Sequence, residues 1–125
     1  MIELDVQMTR DGRLIIFHDD RVERTTNGAG RVRRMRYAEL ARLDAGSWFA
    51  RRFAHERILL VSQALRLLPR RMGVNLELKR TPHDRALVQR LQRLLRRLPV
   101  GRHRHRVLIS SMDPRLLQPL RHASI

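Results

Sequence analysis

The spacing of apolar residues leaves this chain few folds: short runs of strand length alternate with longer stretches of helical period. Ile2-Glu3-Leu4-Asp5-Val6 alternates strictly and reads as a strand. Thr9-Arg10-Asp11-Gly12 follows as a turn. Leu14-Ile15-Ile16-Phe17 is a continuous apolar run, predicted as a buried strand that ends in His18-Asp19-Asp20. Val74 to Lys79 alternates again, a third strand, and Val107-Leu108-Ile109 is a fourth. Between them lie a short helix over Tyr37–Leu43, a helix over Val61–Leu68 ended by Pro69, and an amphipathic helix over Asp84–Leu98 closed by Pro99. Asp113 caps a last helix with Pro114 at its first position. Strands alternating with helices predict an α/β fold on a parallel sheet. With 125 residues, no linker and no internal repeat, the chain is one domain or part of one.

Composition narrows the function classes. Apolar residues make up 42%, too many for a disordered polycation. There is no cysteine, which removes disulfides, zinc-thiolate sites and thiol nucleophiles together. Arg interrupts every apolar run, so none approaches the roughly 18–20 residues of a transmembrane segment. The start, Met1 to Asp5, reads as neither a signal nor a transit peptide, and a cytoplasmic location is favoured. The net charge of +15 comes from 26 Arg and the single Lys79 against 12 acids. Such a charge could serve a basic nucleic-acid-binding module, but a chain-wide preference for Arg over Lys on solvated helix faces is the favoured reading. With only three Phe, one Tyr and one Trp to stack on bases, no specific nucleic acid is expected.

The chemistry collects on the strands. Period-2 geometry puts Glu3 and Asp5 on one face of the first strand, and Asn75, Glu77 and Lys79 on one face of the third. His18 stands at the end of the second. The C-terminal edge of a parallel sheet is where sites are built. Unpaired carboxylates on a core face cost several kcal/mol each unless they are paired or bind metal. An oxygen-only set of Glu3, Asp5 and Glu77 favours Mg²⁺ or Ca²⁺ over zinc. A salt-bridge cluster with Lys79 and nearby Arg is the other reading of the same residues.

The ordered motifs resemble one family. Ile2-Glu3-Leu4-Asp5-Val6-Gln7 with Thr9-Arg10-Asp11-Gly12, Phe17-His18-Asp19-Asp20, Arg24-Thr25-Thr26-Asn27-Gly28, Leu43-Asp44-Ala45-Gly46-Ser47-Trp48-Phe49, Asn75-Leu76-Glu77-Leu78-Lys79 and Ile109-Ser110-Ser111 are similar to those of the glycerophosphodiester phosphodiesterases. The resemblance implies a (β/α)₈ barrel, of which this chain supplies about strands 2–5 with their helices. It implies that Glu3, Asp5 and Glu77 hold a divalent cation, that His18 is one of two catalytic histidines, and that Lys79 contacts the substrate phosphate. The implied reaction is hydrolysis of a glycerophosphodiester, a small molecule, to glycerol 3-phosphate and an alcohol.

The sequence also departs from the family. Its His-Arg-Gly and Pro-Glu-Asn-Thr motifs, which bring the other histidine and a further carboxylate, are absent from residues 1–125, as are the last barrel strands. The family's Ile-Pro-Thr-Leu-Glu-Glu stretch reads Ile58-Leu59-Leu60-Val61-Ser62-Gln63. The expectation is a fragment of a longer product, or a truncated, non-catalytic remnant, inactive alone. Open barrel edges are expected to promote self-association.

Overall fold

Strand β1 (Ile2–Met8) is the axis of the molecule, paired on both sides. A computed structural model describes residues 1–69, 71–80, 84–97 and 107–121. It carries a four-stranded sheet of order β2-β1-β3-β4, with β2 at Leu14–Ile16, β3 at Val74–Leu78 and β4 at Val107–Ser110. β1, β3 and β4 run parallel, and the register sets Glu3 beside Asn75, Asp5 beside Glu77, and Glu77 beside Ser110.

The second strand departs from expectation: β2 runs antiparallel to β1, with Val6 opposite Ile16 and Met8 opposite Leu14. The described parallel run is therefore three strands, not four, and β2 is an added ribbon strand. The connection explains it. Only Thr9–Arg13 joins the two strands, whereas a parallel crossover needs a dozen or more residues. Gly12, at φ +74°, supplies the left-handed residue of that turn. The Thr9 hydroxyl closes the turn by donating to Asp11 (2.6 Å) and accepting from the Arg13 N–H (2.9 Å).

Between β2 and β3 lie the short helix α1 (Tyr37–Leu40) and the helix α2 (Val61–Leu67). Pro69 ends α2 by forcing the preceding Leu68 to an extended ψ of 140°. Gln63 replaces the missing acid of the Ile58–Gln63 stretch. Its side-chain oxygen accepts the Leu60 N–H (2.8 Å) at the start of α2 and the Tyr37 hydroxyl (3.0 Å).

Helix α3 (Asp84–Arg97) links β3 to β4, and Pro114 opens α4 (Pro114–Leu117), where Asp113 accepts the Arg115 N–H. Leu87, Val88, Leu91 and Leu95 form the buried stripe of α3. They pack on Val6, Val74, Leu76 and Leu78 from the sheet, in a core that also takes in Val61 and Leu65 of α2. A second apolar cluster of Ile15, Phe17, Val22, Val32, Leu40 and Ile58 holds the long connection after β2. The expected helix end at Leu98 and Pro99 lies outside the described residues, as do His83, His103, His105 and His122. No helix among the described residues is long and apolar enough to cross a membrane.

Close backbone approach constrains two glycines differently. A Cβ on Gly46 would sit 2.0 Å from the Phe53 carbonyl oxygen, which is main chain and cannot swing aside. A Cβ on Gly28 would meet only the Leu43 side chain, at 2.6 Å. Gly46→Ala is therefore expected to cost about 1–3 kcal/mol or more in a denaturant melt. Gly28→Ala, relieved by a Leu43 rotamer change, should cost clearly less; equal costs would refute the backbone contact at Gly46.

Candidate active site

Strand register gathers the acidic side chains. With Asp5 beside Glu77 on adjacent parallel strands, and Glu3 two residues back on the same face, one carboxylate oxygen from each lies within 4.8 Å of the others. Lys79, just past the end of β3, bridges two of them, with Nζ 2.8 Å from Asp5 and 3.3 Å from Glu77. Its own N–H donates to the Val6 carbonyl (3.1 Å), so strand pairing itself delivers the ammonium to the acids. Asp5, Glu77 and Lys79 side chains are largely shielded, with 16%, 23% and 25% of their surface exposed.

The charges do not balance. Glu3 is exposed, yet partial desolvation raises its carboxyl above the usual range, and Asp5 and Glu77 push the same way, against partial offset from Lys79 and His18. Burial works against the charge on Lys79, but its hydrogen bonds to Asp5 and Glu77 outweigh that and raise its pKa. Three carboxylates and one ammonium leave room for a further positive charge. The all-oxygen donor set fits a hard divalent cation rather than zinc.

His18 follows β2 and lies near enough to Glu3 for its charge to favour that carboxylate. Its Nδ1 is 2.6 Å from Asp19 Oδ1, and Arg24 forks onto the same carboxylate through Nε (2.6 Å) and Nη2 (2.9 Å). Arg24, then His18, hold Asp19 far below the usual carboxylate range. An ionised Asp19 only accepts, so Nδ1–H of His18 is the donor, and the opposite nitrogen, Nε2, carries the lone pair of the neutral ring.

One buried amide carries the His18 segment. Gln7, 5% exposed and on the same face of β1 as Glu3 and Asp5, has its Nε2 within hydrogen-bond distance of the carbonyls of Phe17 (3.1 Å), His18 (2.9 Å) and Asp19 (2.9 Å), which share its two N–H groups. Beyond it, the Arg24 guanidinium stands 6.0 Å from the Trp48 ring centre, and the Trp48 indole N–H donates to the Ala45 carbonyl (3.0 Å). Asp44 anchors that loop by accepting the N–H groups of His55, Gly46 and Ser47 and the Ser47 hydroxyl.

The structure thus brings Glu3, Asp5, Glu77 and Lys79 together and sets His18 beside them. Residues 1–124 match the family model for the glycerophosphoryl diester phosphodiesterase family. The chain belongs to this family. It is 43% identical over 95 residues to the YhdW protein of Bacillus subtilis, covering 76% of this chain and 39% of that one. It is 46% identical over 79 residues to the glycerophosphodiester phosphodiesterase of Caldanaerobacter subterraneus subsp. tengcongensis, covering 62% of this chain and 32% of that one.

Among solved structures, the glycerophosphodiester phosphodiesterase of Agrobacterium tumefaciens superposes with a TM-score of 0.82 at 35% identity, over 98% of this chain and 50% of its own. A phosphodiesterase of Oleispira antarctica in complex with the product sn-glycerol-3-phosphate gives 0.82 at 32% identity, over 94% of this chain and 50% of its own. The chain spans half of those structures and less of the curated relatives. Its sheet and helices are accordingly part of the family's barrel.

Gln7 and Arg24 are the supporting residues that sequence patterning alone does not assign to the site. The signal that could have found Gln7 is its place in step with Glu3 and Asp5 along β1. Replacing it with leucine, close in volume, leaves three carbonyls without their donor and is expected to cost roughly 1–3 kcal/mol. Amide hydrogen exchange over residues 17–19 should rise in that variant; unchanged exchange there would refute the clamp.

The Asp44 loop has a signed pH dependence. The His55, Ser47 and Gly46 N–H groups hold the Asp44 carboxyl far below the usual carboxylate range. A depressed folded pKa stabilises above the unfolded value near 4 and is lost only as pH falls through the folded one. Fluorescence of Trp48, the sole tryptophan, should therefore stay constant from pH 7 to about 4 and change only below that. In Asp44→Ala it should differ already at pH 7.

Proposed function

We propose that this site binds a divalent cation, Mg²⁺ or Ca²⁺, through Glu3, Asp5 and Glu77 and acts in hydrolysis of a glycerophosphodiester to glycerol 3-phosphate and an alcohol. The observation that carries this reading is the convergence of three carboxylate oxygens within 4.8 Å on one face of the sheet. When bound, such a cation draws charge from phosphoryl oxygens. Lys79, held at the same spot by Asp5 and Glu77, presents its ammonium to the substrate phosphate and to the charge that builds there. His18, with Nδ1–H donated to Asp19, offers Nε2 to take a proton from the nucleophile or return one to the leaving oxygen. The sn-glycerol-3-phosphate bound in the Oleispira relative supports this product class.

The described residues contain one other histidine, His55, which lies in the Asp44 loop with its backbone N–H donated to that carboxylate. On this reading His18 supplies one half of a proton relay between two histidines. The 125-residue chain alone is expected to turn over about 10²–10⁴-fold more slowly than full-length relatives. Self-association through the outer edges of the sheet belongs to the same reading.

Calorimetric titration of the chain with Mg²⁺ and Ca²⁺ should reveal one site, weakened at least about tenfold by Glu77→Gln or Glu3→Gln. Release of glycerol 3-phosphate from glycerophosphocholine or glycerophosphoethanolamine, where measurable, should disappear in His18→Ala. Metal binding indifferent to all three carboxylates would sink the proposal. The sedimenting mass of the same samples reads the self-association, which a monomer at all concentrations would refute. A remnant without function predicts neither metal binding nor turnover.

A further inference from the structure

None of the carboxylates lines a second groove, of about 310 Å³, between the β1–β2 turn, the start of α2 and the exposed side of α3. Arg13, Arg90, Arg93 and Arg97 line it, together with Ser62 and the apolar residues Leu14, Leu60 and Leu94. Arg90, Arg93 and Arg97 recur at three- and four-residue intervals, so they share one stripe of α3 and repel one another. No acid follows Asp84 along that helix. Among the described residues, none of the four guanidinium groups takes part in an ion pair. Asp11, in the same turn as Arg13, feels its charge without forming an ion pair with it, and its Oδ1 accepts from the Thr9 hydroxyl and the Tyr37 N–H.

A second observation places the Arg90 head group. The Arg90 guanidinium lies against the main chain of Gly12, where a Cβ would come within 2.6 Å of its Cζ and Nη2. The absence of a side chain at the turn makes the seat in which this head group rests at the groove's edge. Planar guanidinium forks in an uncompensated positive field are the complement of a phosphate group. The lining leucines suit the carbon skeleton of an ester attached to it.

We propose that this groove binds the phosphate group of a small phosphate ester or of a phospholipid headgroup, at a site distinct from the carboxylates. The test is calorimetric titration of the 125-residue chain, at fixed ionic strength, with inorganic phosphate and with soluble dihexanoyl phosphatidate. The double variant Arg90→Glu/Arg93→Glu should weaken both by at least about tenfold. The charge-matched double variant Arg33→Glu/Arg34→Glu, at exposed positions outside the groove, should change them by less than about twofold. All four positions are exposed, and an unchanged thermal melt confirms that each variant folds. Tighter binding of the phosphatidate assigns the groove to phospholipid, and equal binding assigns it to water-soluble phosphates. Equal losses in the two double variants would reduce the effect to general attraction by a polycation and overturn the proposal. So would the absence of saturable binding up to millimolar phosphate.

Discussion

The parallel pairing of β1 with β3 is the constraint from which the rest follows. It sets Asp5 against Glu77, brings Glu3 within reach of both, and carries Lys79 one residue further along the same hydrogen-bond ladder. The opposite faces of these strands, Val6, Leu76 and Leu78, are buried against α3. A slip of one residue in this pairing would turn carboxylates into the core and leucines out of it. Core packing and site geometry are thus one constraint, and the apolar residues of the sheet guard the register of the acids.

The ribbon of β1 and β2 adds a second level of order. β1 holds carboxylates in its first half and Gln7 in its second, so one strand supplies both the acids and the clamp for the segment bearing His18. From there a chain of contacts runs through Asp19 and Arg24 to Trp48, and through its loop to Asp44. The links differ in kind: an ion pair between Asp19 and Arg24, a cation over a ring at Trp48, and a neutral hydrogen bond from Trp48 to Ala45. His18 thereby gains a set orientation while its ring remains 65% exposed to incoming molecules.

Much of this was legible in the sequence, for identifiable reasons. Strict alternation in Ile2–Val6 and Val74–Lys79 placed the acids on one face, because a strand's period of two leaves no choice. The antiparallel course of β2 was missed, although the shortness of Thr9–Arg13 implies it, because an apolar run by itself does not state its direction. Whether Lys79 pairs with the acids or faces a ligand could not be read from spacing; in the structure it bridges Asp5 and Glu77. Gln7 escaped because its partners lie ten to twelve residues on, across a turn whose geometry had to exist first. The arginine groove escaped for a similar reason: Arg13 and Arg90 meet only through the fold, over a glycine that looked like an ordinary turn residue.

The Gln7 clamp also gives the molecule a chemical age. A side-chain amide in water hydrolyses slowly to a carboxylate, and burial at 5% exposure protects this one only while the strand stays shut. After conversion, a group that donated to three carbonyl oxygens would become a negative acceptor facing all three. The lesion adds a single oxygen-for-nitrogen exchange, invisible to a coarse look at the fold, yet it would push the histidine segment away from the acids. Durability of the site is thus tied to how rarely β1 opens.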